Sequence, residues 1–241
     1  MSNPMLSRRL ETTAMPPVVT TPGMTVGETV RNTFALLLAA VAAGAVAWMN
    51  ADTWPVWVLW AGLLGGLGLV IVAMVKPRLA QYLAIPYALL EGVVLGYISR
   101  LYEDRFSGIV LQAVLATAVV FAVMLLLYVS RVIKVTQRLR SIVVGATLGI
   151  LGFYVISLIG SMFGWSMPLV WDSGPWGILF SVVVAGIAAF NLLLDFDLIE
   201  NGVRSNAPDW MNWFAAMGLM VTLVWLYLEI LRLLAKIQSR D

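Results

Sequence analysis

The sequence predicts an all-α membrane protein with seven transmembrane helices, and three observations carry that prediction. Of the 241 residues, 61% are apolar and 12% are charged, whereas a soluble domain is roughly half apolar and about a quarter charged. The apolar residues gather into seven stretches near 33–49, 54–75, 79–99, 107–129, 141–164, 175–194 and 213–235. Each is long enough for a helix to cross a hydrocarbon layer ~30 Å thick. None alternates polar and apolar residues as an outer-membrane strand does. Backbone amides find no water inside a bilayer, so unbroken runs of this length are helices.

Residues 1–29 form a polar arm containing Pro4, Pro16, Pro17 and Pro22, with Arg8 and Arg9 among Ser and Thr. It carries too little apolar surface to offset the entropy of ordering and is expected to be flexible. No apolar run follows the arginines closely, so it does not read as a signal peptide. Residues 30–241 hold the seven-span domain, and the loops are too short for a separate soluble domain. With the N-terminus inside, the inner basic set is Arg8, Arg9, Arg31, Lys76, Arg78, Arg131, Lys134, Arg138, Arg140 and Arg204, against Arg100, Arg105, Arg232, Lys236 and Arg240 outside. That bias predicts a cytoplasmic N-terminus and an external C-terminus. Trp48, Trp54, Trp57, Trp165, Trp171, Trp176, Trp210 and Trp213 fall near span ends, where indole rings anchor at the interface. The absence of Cys and the short loops favour a bacterial plasma membrane.

The chain has no His and no Cys. Ser-His hydrolysis, HExxH zinc chemistry, haem-His ligation and thiol catalysis are therefore excluded. Neither a Walker A sequence nor GxGxxG occurs, which leaves nucleotide binding unsupported. The formal charge of +2 comes from bases beside the spans and gives no reason to expect nucleic acid. An intramembrane aspartyl protease uses two aspartates in adjacent helices, but its Gly-x-Gly-Asp and Tyr-Asp signatures are absent. The expectation is a protein that is not an enzyme and has no cofactor, its partners being the bilayer and the ions H⁺ and Ca²⁺, with membrane-protein partners unspecified.

Small residues one turn apart, as in Gly92-x-x-x-Gly96, Gly145-x-x-x-Gly149 and Gly160-x-x-x-Gly164, let helix backbones approach closely. Gly62, Gly65, Gly66 and Gly68 enrich the second span in the same way. Ordinary packing explains all of these; helices that slide during gating would also use them.

Ionisable groups inside apolar spans are costly and are the most informative residues here. Glu91 lies about 18 Å along the third span, close to the midplane. Pro86 lacks a backbone N–H and frees the carbonyl of Tyr82, a candidate oxygen ligand or hinge. Asp195 and Asp197 end the sixth span; Asn191 shares a face with Asp195 and joins Glu91 as a candidate cation-path residue, while Asp197 turns away from it. Asp195 falls near the inner boundary, at the level of Lys76 and Arg78. Glu229 lies toward the outer side, where Arg232 at i+3 and Lys236 at i+7 can neutralise it. Asp195, Glu91 and Glu229 at inner, middle and outer depths would supply a cation path through the bundle. Each also has a plainer structural reading, as a protonated acid, a solvated cluster or a local ion pair. Carboxylates and freed carbonyls suit a hard cation such as Ca²⁺, with Asp195 and Glu91 as its candidate ligands.

At these same residues the chain resembles the transmembrane Bax-inhibitor-motif family, in a divergent bacterial branch. The similarity runs from about residue 25 to the end. It rests on the seven spans, on Leu-Leu-Glu-Gly-Val-Val-Leu-Gly around Glu91, on Asn-Leu-Leu-Leu-Asp-Phe-Asp-Leu-Ile-Glu from Asn191, and on Leu-Val-Trp-Leu-Tyr-Leu-Glu-Ile-Leu-Arg-Leu-Leu around Glu229. The resemblance implies six helices around a central C-terminal helix and a pH-sensitive calcium leak. It also implies an acidic pair from the last two helices that shares a proton and latches to a basic residue of the second. Asp195 matches the sixth-helix aspartate. For the seventh helix, Leu-Tyr-Leu-Glu229 resembles the motif but lies several residues beyond the family spacing, whereas aligning the final Leu-Leu-Arg puts Thr222 there and loses the pair. Lys76 and Arg78 are both available as the basic partner. The reading is a leak channel whose gate or pH sensor is drawn from Asp195, Glu229 and Asp197. A non-conducting adaptor or stress-response scaffold and a proton-coupled cation transporter stand as the alternatives.

Overall fold

The computed structural model describes residues 23–164 and 172–240. Among the described residues there are seven α-helices: α1 Val26–Asn50, α2 Trp57–Val75, α3 Ala80–Glu103, α4 Ile109–Val129, α5 Gln137–Met162, α6 Pro175–Arg204 and α7 Trp210–Gln238. A 3₁₀ turn, Pro77–Leu79, joins α2 to α3. All seven are long and apolar enough to cross a membrane, as the sequence predicts. The side on which α1 begins is termed the N-side, and the side on which α7 ends the C-side.

Local chemistry sets the ends. Thr25 caps α1 by accepting the Glu28 N–H at 3.2 Å, and Thr136 caps α5 by accepting the Leu139 N–H at 3.2 Å. Pro175 opens α6 at the first turn, where its missing N–H costs nothing. Gly108 enters α4 with φ +81, a conformation open to glycine, and the Glu103 carboxylate accepts its N–H at 2.6 Å.

Two boundaries differ from expectation. Residues 26–29, assigned to the flexible arm, are helical, and Met24 before them is buried. They are tied to α7 through Asn212, whose Oδ1 accepts from the Thr25 N–H at 3.0 Å and the Thr29 hydroxyl at 2.9 Å. The rest of the arm lies outside the described residues, as do Trp165 and Trp171. The second difference is α6, which runs ten residues past the expected end at 194. Asp195, Asp197 and Glu200 end the apolar run there without ending the helix.

Helix α7 is the core of the bundle. It packs against α1, α3, α4 and α6, while α2 packs mainly on α3 and α5 on α6. Two apolar clusters lie on different faces of α7. One joins Met217 and Met220 to Leu36 of α1 and Tyr87 and Ala88 of α3; the other joins Leu219, Leu226 and Ile230 to Met124 of α4 and Leu192, Leu193 and Phe196 of α6. Helices α1 and α3 cross so closely that a Cβ on Gly92 or Gly96 would overlap the backbone of Ala40 or Gly44. By contrast, nothing lies within 4 Å of a Cβ placed on Gly145 or Gly149.

Candidate functional site

The acidic residues of the spans divide into four environments, and the first is a closed cluster on the C-side half of α7. Glu229 is 1% exposed. Arg232, one turn on, donates from Nη1 to both of its oxygens, at 3.0 and 2.9 Å. Tyr154 of α5 donates its hydroxyl to Glu229 Oε1 at 2.8 Å and accepts from Arg232 Nη1 at 2.6 Å. Trp225 Nε1–H adds a fourth contact at 3.2 Å. The Arg232 guanidinium lies 5.2 Å from the centre of the Tyr154 ring, which itself meets Phe180 of α6 edge-on. This carboxylate is balanced and fully hydrogen-bonded, as a buried charge must be. The local ion pair expected as the plainer reading of Glu229 is the one that forms.

Asp195 has the opposite character. It sits on α6 facing α7, and its Oδ2 is buried without a hydrogen-bond partner among the described residues. Thr222 is the polar side chain of α7 set against its carboxyl. One turn away, Asn191 donates to Thr147 of α5 at 2.8 Å and to the Ile187 carbonyl at 2.9 Å, which fixes its amide on the α5 side. Glu229 stands seven residues beyond Thr222, about 10 Å further along α7, and bonds to Arg232 instead. The two acids form no pair. Of the two alignments open at the sequence level, the geometry follows the one that places Thr222 opposite Asp195. Nor does Asp195 mark the end of a span, since α6 continues nine residues past it to Arg204.

A third group lies on the N-side. Asp197 accepts from Arg140 of α5 at 2.6 Å. Glu200 accepts from Arg131 at 2.5 Å, from Arg204 at 2.7 Å and from the Tyr128 hydroxyl. These links bind the polar end of α6 to the α4–α5 connection. Lys76 and Arg78, the expected latch partners, are exposed and form no ion pair with any described acid. The cation facing α6 comes from the start of α5 and not from the end of α2.

Glu91 is the fourth case. It projects from α3 toward α2, where its Oε2 would come within 3.2 Å of a Cβ on Gly66. Tyr87, one turn earlier, is 3% exposed, and its ring lies beside the same Gly66 position. Glu91 thus faces α2, whereas Asp195 lies against α7 and Glu229 belongs to the cluster with Tyr154 of α5, and no described hydrogen bond joins the three. Nor do three acidic side chains meet anywhere among the described residues, and the candidate Ca²⁺ ligands Asp195 and Glu91 stand apart. Pro86 and Tyr82 are both exposed on the outward face of α3, away from α7. That placement removes the Tyr82 carbonyl from any central path.

Two cavities flank α7. One, of about 960 Å³, runs from Thr29 and Thr33 on the N-side to Trp48 near the C-side between α1 and α4. No acid lines it. The other, of about 330 Å³, opens at the C-side beside Arg232. Sequence reasoning missed Tyr154 and Arg140, since neither α5 residue carries a signal for which helix it faces.

No curated protein matches this chain. A family profile described as Bax inhibitor 1 like matches residues 3–239, nearly the whole length. With seven helices apolar enough to span a membrane and the last of them at the core, the chain belongs to the Bax inhibitor 1-like family of integral multi-pass membrane proteins.

Proposed function

We propose that this protein is a pH-sensitive cation leak, with Ca²⁺ as the permeant ion, and that protonation of Asp195 decides whether it conducts. The observation behind this reading is Asp195, half-buried on the α6–α7 seam, whose Oδ2 is buried without a hydrogen-bond partner among the described residues. A negative charge there has no cation beside it and is expensive in a low-dielectric interior. A proton removes that cost, and so does a passing cation. Either exchange alters how α6 seats on α7, which is a physical route to gating without histidine. The Glu229–Arg232–Tyr154 cluster ties α7 to α5 on the C-side, and on this reading it holds the shut state. On this reading the protein acts as a conduit and not as an enzyme, and Glu91 lies off the route.

The test is Ca²⁺-dye flux into proteoliposomes across a pH series, comparing the parent with Asp195→Asn. The parent flux is expected to change with pH and the Asp195→Asn flux to be flat. Superimposable profiles would remove Asp195 from the gate. Absence of flux at every pH in well-folded parent protein would favour a non-conducting adaptor. Saturable uptake driven by a proton gradient would favour a transporter.

A further inference from the structure

We infer that the C-side cavity of about 330 Å³ is a binding site for a phosphate group, presented by either a lipid headgroup or a free phosphate compound. Its basic lining comes from three places: Arg105 in the α3–α4 connection, and Arg232 and Lys236 on α7. The hydroxyls of Tyr102 and Ser173 add donors around the same space. No acid lines it. The nearby acids are Glu229, behind Arg232, and Asp172, whose charge acts on Lys236. Among the residues that line the mouth, three carry positive charge and none carries negative charge.

The disposition of Arg232 makes the cavity suited to an oxyanion. Among the described residues every hydrogen bond it makes leaves from Nη1, toward Glu229 and Tyr154. Its Nη2 and Nε–H edge is thus left for the cavity it lines. A guanidinium with one edge committed and one open is the group that binds phosphate oxygens in a forked geometry. Lys236 is held against the wall by donating to the Gly177 carbonyl at 3.0 Å, and the Ser239 hydroxyl donates to Ser173 at 2.7 Å. Both contacts draw the start of α6 and the end of α7 around the opening. Arg232 lies six residues from the end of α7, about 9 Å along the helix. Leu101, Phe106 and Ala235 supply apolar walls beneath it. A bound phosphate would share Arg232 with Glu229, so occupancy of the mouth would loosen or tighten the cluster that ties α7 to α5. None of this depends on Asp195 acting as a gate.

The experiment measures binding to the full chain in neutral detergent, using two probes: phosphatidylglycerol, with phosphatidylcholine as its neutral reference, and inorganic pyrophosphate. The variant is Arg105→Gln, an exposed connection residue with no part in the Glu229 cluster. The control is Arg138→Gln, an exposed cation on the N-side. Saturable binding of either phosphate probe is expected, with Arg105→Gln weakening it about tenfold, the scale of one charge-assisted hydrogen bond, and Arg138→Gln leaving it unchanged. Preference for phosphatidylglycerol identifies a lipid headgroup, and preference for pyrophosphate a free phosphate. Equal loss in both variants, an unaffected Arg105→Gln, or no binding of either probe would overturn the assignment.

Discussion

Arg232 Nη1 lies 2.9 Å from Glu229 Oε2, one turn away on the same helix, and Tyr154 of α5 bonds to both. The pair is therefore a closed unit that joins the central helix to a peripheral one. Removing one charge strands the other in a buried site, which costs far more than removing both. Glu229→Gln is expected to destabilise the protein by on the order of 3 kcal/mol. Adding Arg232→Met should restore most of that loss. Reversible unfolding in mixed detergent measures both. Additive losses in the double variant would show that the two residues act independently.

Asp195 and Thr222 form the other notable relationship, and there the acid is not balanced. If the state of Asp195 sets the flux, its immediate neighbour matters and distant acids do not. Thr222→Val is expected to move the midpoint of the pH response, because it replaces the polar neighbour of the carboxyl with a methyl. Glu91→Gln is expected to leave that midpoint in place. Proteoliposome flux at closely spaced pH values distinguishes them, and a shift in Glu91→Gln alone would relocate the sensor to α3.

How much of this was legible in the sequence depends on whether the information was local. Seven apolar runs state seven spans, and Glu229 followed by Arg232 at i+3 states an ion pair, since both are properties of one helix. The extent of α6 was not legible, because a hydropathy reading stops at Asp195 whereas the helical hydrogen bonds do not. Partners on other helices were hidden for a different reason. Helix α5 is apolar nearly all round, so nothing in its pattern shows that Tyr154 meets Glu229 or that Arg140 meets Asp197. The placement of Glu91 against α2 was hidden likewise, since depth along a helix does not tell which neighbour a residue faces.

The N-side latch gives a prediction about which cation faces α6. Arg140 reaches Asp197 at 2.6 Å, with about half of its side chain exposed. An ion pair that open to water is worth at most about 1 kcal/mol. Arg140→Gln is therefore expected to lower stability only slightly while loosening the N-side end of α6. Under the proposed function its readout is a change in the flux amplitude with a retained pH midpoint. Lys76→Gln with Arg78→Gln should change neither quantity. An altered pH response in that double variant would restore the latch to the end of α2.

The two glycine pairs of α3 and α5 share one sequence pattern and differ in what they meet, which separates packing from mere occurrence of the motif. In α3, a Cβ on Gly96 would overlap the backbone of Gly44, which cannot move aside as a side chain can. Helices α1 and α3 would have to separate, and overpacking of this kind costs about 1–3 kcal/mol. The Gly145 position of α5 is open, with nothing within 4 Å, so a methyl group there meets no obstacle. It also gains helix propensity over glycine. Gly96→Ala is therefore expected to lower the unfolding midpoint in detergent, and Gly145→Ala to hold or raise it. A disulfide introduced between α1 and α3 at the crossing should form more slowly in the Gly96→Ala background if the helices have moved apart. Equal midpoints for the two variants would mean that the α1–α3 crossing is looser than its close backbone contact implies.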